Sequence, residues 1–147
     1  MDDPVFVAGP AGQLEAQINE SPTAKFVAVL CHPHSQYGGS MHDGVLEIMV
    51  DALGGLGVNT VCFNFRSVGQ SEGEFDQGEG EIQDVLAMSA WAENRWPSLP
   101  LILGGYSFGA AMSLIAASRI EDKVSKLILI APPIQMMESD SASSIDS

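Results

Sequence analysis

Residues 101–112 read Leu101-Ile102-Leu103-Gly104-Gly105-Tyr106-Ser107-Phe108-Gly109-Ala110-Ala111-Met112, and this stretch decides the fold. Leu101-Ile102-Leu103 is apolar on both faces, the pattern of a strand covered on both sides of its sheet. Ala110-Ala111-Met112 is helix-compatible. Between them stands Gly-x-Ser-x-Gly, at Gly105, Ser107 and Gly109. A sharp strand-to-helix turn holds such a serine in a strained backbone conformation, and small residues two positions either side let the strand and helix backbones pass closely. The five-residue pattern alone is a weak signal. With an apolar strand before it and a helix after it, it predicts Ser107 as an exposed nucleophile standing off the sheet.

The flanking sequence repeats the same grammar. Phe26–Cys31 is a second doubly apolar strand, and Val58–Phe65 is rich in β-branched and aromatic residues. Between them, Met41–Leu53 places Val45, Leu46, Met49, Val50 and Leu53 on one helical stripe. Ser40 with Asp43 resembles a capping box, and Gly54, Gly55 and Gly57 supply the stop. A helix over 80–95 presents Ile82, Val85, Leu86 and Ala90, and Pro97 and Pro100 bracket its exit. A helix from Phe108 to Ser118 and a strand over Val124–Ile130 follow. Strand, helix, strand, helix, strand, helix, strand with right-handed crossovers gives an α/β fold with a mostly parallel sheet flanked by helices. Upstream, Val5–Ala8, the turn Gly9-Pro10-Ala11-Gly12 and the alternating Gln13–Asn19 predict an N-terminal antiparallel hairpin at a sheet edge.

Composition narrows the function. The chain has 147 residues, enough for one domain, with 46% hydrophobic and 17% charged residues. Nineteen acids against six basic residues give a formal charge of -13, which argues against nucleic-acid binding and against docking on anionic membranes. No apolar run is long enough to span a bilayer, and the acidic start Met1-Asp2-Asp3-Pro4 lacks the features of a signal peptide. Cys31 and Cys62 both lie in or at the end of apolar runs and are read as reduced, buried thiols of a cytoplasmic protein.

An oxyanion hole needs two donors. The Phe108 amide, first in its helix, is one. The loop after Phe26–Cys31, His32-Pro33-His34-Ser35-Gln36-Tyr37-Gly38-Gly39, supplies the other. Pro33 has no N–H, so the His34 amide is the candidate and Ser35 the alternative. Cys31, His32, His34 and His42 lie within twelve residues of one another but fit no standard zinc spacing, so no metal and no cofactor is expected. His34 and His42 are also the weaker candidates for a substitute base, since nothing in the spacing turns either ring toward the hydroxyl. The acids Glu72, Glu74, Asp76, Glu79, Glu81 and Asp84 fail the calcium-loop pattern at Gln77 and Gln83 and read as a solvated approach to a helix N-terminus. Trp91 and Trp96 read as packing residues.

Cys-His-Pro-His at 31–34, Gly38-Gly39 with Met41-His42, Phe63-Asn64-Phe65-Arg66 with Gly69-Gln70-Ser71, and Gly105-Tyr106-Ser107-Phe108-Gly109-Ala110 together resemble the small, cap-less bacterial α/β-hydrolases related to serine aminopeptidases and dienelactone hydrolases. The likeness runs from Val5 to Pro133. It implies ester or amide hydrolysis of a small molecule or peptide by Ser107, and a structural loop from Arg66 to Ser71 beside the site. It also implies an acid after a later strand and a histidine near the C-terminus. No histidine follows His42; Glu121 and Asp122 precede the last strand, and Glu138, Asp140 and Asp146 match no motif position. Without a base the hydroxyl is a poor nucleophile, so activity is expected to be impaired or absent in a fold lacking its last strands. Residues 1–135 form the expected core and 136–147, rich in Ser and Asp, a disordered tail. An edge strand at Val124–Ile130 would pair with another chain, predicting self-association and the competing reading of a non-catalytic interaction module.

Overall fold

The structure, a computed structural model, describes residues 3–133. The residues 136–147 read as a tail lie outside the described residues. Strands β1 (Val5–Gly9) and β2 (Gly12–Asn19) form the antiparallel hairpin, and β3 (Phe26–Cys31), β4 (Val58–Phe63), β5 (Leu101–Tyr106) and β6 (Val124–Ile130) run parallel. The sheet order is β1-β2-β4-β3-β5-β6, with β2 antiparallel to β4. Helix α1 (Gly44–Gly55) covers one face, and α2 (Glu79–Arg95) and α3 (Phe108–Arg119) cover the other.

The period of two along β3 sorts the core. Val27, Val29 and Cys31 point to the face of α2 and α3, where they meet Val85, Met88, Ala111 and Ala116. Ala28 and Leu30 point to α1 and meet Leu46, Met49 and Leu53. All six residues of β4 are buried, as a strand covered on both faces requires. Ser107 sits at the C-terminal end of β5, the second strand from the β6 edge, where the sheet opens into loops.

Four expectations change in detail. The first helix begins at Gly44, because Asp43 rather than Ser40 caps it: the Asp43 Oδ2 accepts the amides of Val45 (2.8 Å) and Leu46 (3.3 Å). Strand β4 stops at Phe63: the Asn64 amide still donates to the Glu15 carbonyl of β2, but the Phe65 and Arg66 amides turn to the side chains of His32 and Asp84 and draw the chain into the loop. On α2, Ala90 is exposed, and the buried stripe continues instead through Met88, Ser89 and Ala92. The acidic segment is only partly solvated, because Glu81 and Asp84 are fully buried. Glu81 reaches back to accept the amides of Gly78 and Asp76, both at 2.9 Å, and Asp84 holds the Arg66 guanidinium. A tight loop and a buried cation both need acceptors, and α2 provides them from its core-facing side.

Candidate active site

The Gly-x-Ser-x-Gly segment forms a true elbow. Ser107 has φ 57° and ψ -120°, a conformation costly for any side-chain-bearing residue, and it stands as the N-cap of α3. The surrounding structure enforces it. The Ser107 amide donates to the Ile130 carbonyl at 3.0 Å, and the Ser107 carbonyl accepts the amides of Ala110 and Ala111. A β-carbon on Gly105 would lie 2.6 Å from the Cys31 carbonyl oxygen and 2.7 Å from the Gly109 backbone, and one on Gly109 would overlap the Cys31 carbonyl. Glycine is therefore required on both sides for β3, β5 and α3 to meet. Phe108 opens α3, so its amide has no acceptor within the helix.

The loop after β3 lies against this elbow. His34 precedes a single 3-10 turn at Ser35–Tyr37; its carbonyl accepts the amides of Tyr37 and Gly39, and its Nδ1 accepts the Gln36 amide at 3.1 Å. The His34 ring packs on Phe108 with centroids 4.6 Å apart. The two residues whose amides are the candidate oxyanion donors thus touch through their side chains. Burial lowers the His34 pKa below its ordinary value.

The three histidines have separate settings. His32 is fully buried, with its Nε2 accepting the Phe65 amide at 3.0 Å and its Nδ1 donating to the Pro33 carbonyl at 2.6 Å. Because the Phe65 N–H can only donate, the ring must be the neutral Nδ1–H tautomer, and burial pushes its pKa down to about 4. It is a core group joining β3 to the end of β4, where the sequence suggested a loop residue. His42 is exposed. Among the described residues no histidine hydrogen-bonds to Ser107, and no three His, Cys, Asp or Glu side chains gather as metal ligands. Cys31 and Cys62 are buried free thiols, raised by burial to about 12.

Residues 22–145 match the family model described as serine aminopeptidase, S33. The chain belongs to that family. An uncharacterized protein of Rickettsia prowazekii is 34% identical over 134 residues, covering 88% of this chain and 55% of that protein. The monoglyceride lipase of Mus musculus is 28% identical over 112 residues, covering 74% of this chain and 37% of the lipase. Among solved structures, an α/β serine hydrolase without lid from Xanthomonas campestris superposes with a TM-score of 0.83 at 42% identity, covering 89% of this chain and 61% of that one. The chain spans about half the length, or less, of these two curated relatives.

Within this S33-family chain, the acids weighed in the sequence fall in two places. Glu121 and Asp122 occupy the turn before β6, and the register of β6 with β5 puts that turn at the end of the sheet away from Ser107. Glu138, Asp140 and Asp146 lie outside the described residues. A groove of about 390 Å³ lined by Leu114, Ala117, Val124 and Leu127 also lies toward that far end and is no part of the site.

The sequence marks Arg66 to Ser71 only as a structural loop, and the polar partners that hold it come from the fold. Arg66 grips Asp84 through Nε and a 2.9 Å bond from its terminal nitrogen, while its amide donates to the same carboxylate. The buried Glu15 accepts the Asn64 side-chain amide and the Gln70 backbone amide, both at 2.8 Å, and the Asn64 Oδ1 accepts the Met41 amide. Ser71 completes the link, accepting from the Glu15 amide and donating to the Asn64 carbonyl. Residues 64–71 therefore tie the hairpin to the loop carrying Met41. One signal was available: Glu81 and Asp84 fall on the same helical stripe as Val85 and Met88.

Proposed function

We propose that this chain carries the nucleophile half of an acyl-transferring serine hydrolase acting on small-molecule esters or amides, including peptides. In that reaction the Ser107 Oγ bonds to the carbonyl carbon, the carbonyl oxygen takes the negative charge, and the Phe108 and His34 amides donate to it. The bond to the alcohol or amine then breaks, the proton lost by Ser107 passing to solvent water and the leaving group taking one up from it, and water later releases the acyl group. The observation that carries this reading is Ser107 held at φ 57° between two glycines that admit no side chain. The lipase and serine hydrolase among its relatives support the ester class. The charge of -13 disfavours anionic substrates and nucleic acid.

The serine proton needs an acceptor, and none of the histidines in the sequence hydrogen-bonds to Ser107 among the described residues. The chain by itself is therefore proposed to acylate slowly and turn over poorly. Incubation with a fluorophosphonate probe tests the nucleophile: the expected result is a slow adduct on Ser107, with fluoride leaving, that is absent from Ser107→Ala. No adduct on Ser107 would overturn the reading. The buried, unpaired thiols of Cys31 and Cys62 support a reducing compartment, in keeping with a cytoplasmic setting. No helix among the described residues is long and apolar enough to cross a membrane.

A second reading follows from β6. It pairs only with β5 among the described residues, and Leu127 and Ile130 are 41% and 36% exposed. A second copy adding its own β6 would satisfy that edge. Equilibrium sedimentation would show a dimer that dissociates on Leu127→Lys; a monomer at all concentrations would exclude it.

A further inference from the structure

A chain of aromatic rings runs from the core to the surface past the elbow. Phe63 and Phe65 touch at 5.0 Å between centroids, Phe65 and Phe108 at 5.7 Å, Phe108 and His34 at 4.6 Å, and His34 and Tyr37 at 4.7 Å. Phe75 flanks His34 at 5.0 Å and Phe108 at 6.3 Å. The inner rings are buried, but Tyr37 at the outer end is 85% exposed although it is anchored on His34. Phe108 follows Ser107 directly, so the series starts out from the residue next to the nucleophile, and its exposed end, Tyr37, is reached from Phe108 through the His34 ring.

The chemistry of this surface is specific. The His34 Nδ1 accepts the Gln36 amide, which leaves the proton of the neutral ring on Nε2, and Nε2 has no partner among the described residues. The charge that reaches His34 is that of Glu81, whose two oxygens are already taken by the Asp76 and Gly78 amides. What faces solvent is the Tyr37 ring with its hydroxyl, backed by the half-buried His34 ring. Aromatic faces prefer offset or tilted ring partners over aliphatic groups of equal size.

We propose that Tyr37, His34 and Phe75 form a stacking subsite that selects uncharged substrates carrying a planar aromatic group next to the scissile bond. The inference deepens the serine-hydrolase reading and rests on Ser107 being the reacting group, but its test separates the two. In the Ser107→Ala chain an ester binds without reacting, so phenyl acetate and cyclohexyl acetate can be compared by saturation-transfer and chemical-shift NMR. The expected result is tighter binding of phenyl acetate, with shifts in the Tyr37 and His34 rings. Tyr37→Ala should weaken phenyl acetate about 3- to 10-fold and leave cyclohexyl acetate unchanged, and Tyr37→Phe should restore the preference. Equal binding of the two esters, or no effect of Tyr37→Ala, overturns the subsite. If the ring preference holds in Ser107→Ala while fluorophosphonate fails to label the unsubstituted chain, the subsite stands and the nucleophile reading falls.

Discussion

Gly109 rests its α-carbon on the backbone of Cys31, so closely that a methyl group there would overlap the Cys31 carbonyl and lie 2.6 Å from the His32 carbonyl oxygen. The obstacle is the end of a central strand, which cannot move aside as a flexible side chain would. Gly109→Ala is therefore expected to destabilise the chain by about 1–3 kcal/mol in urea unfolding. Gly54→Ala, where nothing lies within 4 Å of the added carbon, serves as the contrast and should be neutral or slightly stabilising. Equal effects of the two substitutions would mean that the close approach of α3 to β3 is not under steric control.

Ser107 holds a strained backbone conformation. At φ 57° and ψ -120° a side chain costs about 1–3 kcal/mol, and glycine relieves it at a smaller cost in unfolded-chain entropy. Ser107→Gly should thus gain roughly 1 kcal/mol in urea unfolding while losing all fluorophosphonate labelling, whereas Ser107→Ala should lose the labelling without the gain. A Ser107→Gly chain no more stable than Ser107→Ala would remove the strain argument.

The elbow, the order of strands and helices from Phe26 to Ile130, and the hairpin all follow from local signals: doubly apolar runs, a 3.6-residue stripe and Gly-x-Ser-x-Gly. Acids read as solvated by residue type, and Glu81 and Asp84 on α2 depart from that reading. Glu81 and Asp84 are buried by partners that lie 3 and 5 residues away (Gly78 and Asp76) and 18 away (Arg66), and only folding brings the last of these into reach. His32 escaped for the same reason, since its acceptor role is set by the Phe65 amide, 33 residues on. Phe75 carried no sequence signal at all; its meaning comes from lying against His34 and Phe108.

His32 should make stability pH-dependent. Its folded pKa of about 4 lies below the unfolded value near 6.5, so the unfolded chain binds the proton more tightly. The stabilisation is whole above the unfolded value, declines as pH falls from about 6.5 toward 4, and amounts to about 3 kcal/mol across that window. Urea midpoints of the natural chain should fall between pH 7 and 5, and His32→Gln, which cannot titrate, should show a flatter profile over the same range. Parallel profiles would mean that the ring is not buried neutral.

The thiols give a probe of global opening. Burial raises Cys31 and Cys62 to about 12, leaving almost no thiolate at neutral pH. Iodoacetamide should fail to modify either in the folded chain and should modify both in urea, at a rate following the unfolding equilibrium. Rapid modification of Cys62 alone in the native state would reveal local opening of β4.

Arg66 and Asp84 form the ion pair on which the loop beside the site depends, with side chains 10% and 0% exposed. Hydrogen bonding to Asp84 holds the Arg66 guanidinium more firmly protonated than usual. Removing one partner strands the other charge in the core, so Arg66→Met should cost about 3–5 kcal/mol. Removing both leaves no orphaned charge, and Arg66→Met with Asp84→Leu should recover a large part of that loss. The Arg66 amide still loses its acceptor, Asp84 Oδ2 at 3.0 Å, which sets a limit on the recovery. If the double variant is as unstable as Arg66→Met alone, the guanidinium acts through packing against Gly80, whose α-carbon it covers, and the charge pairing is incidental.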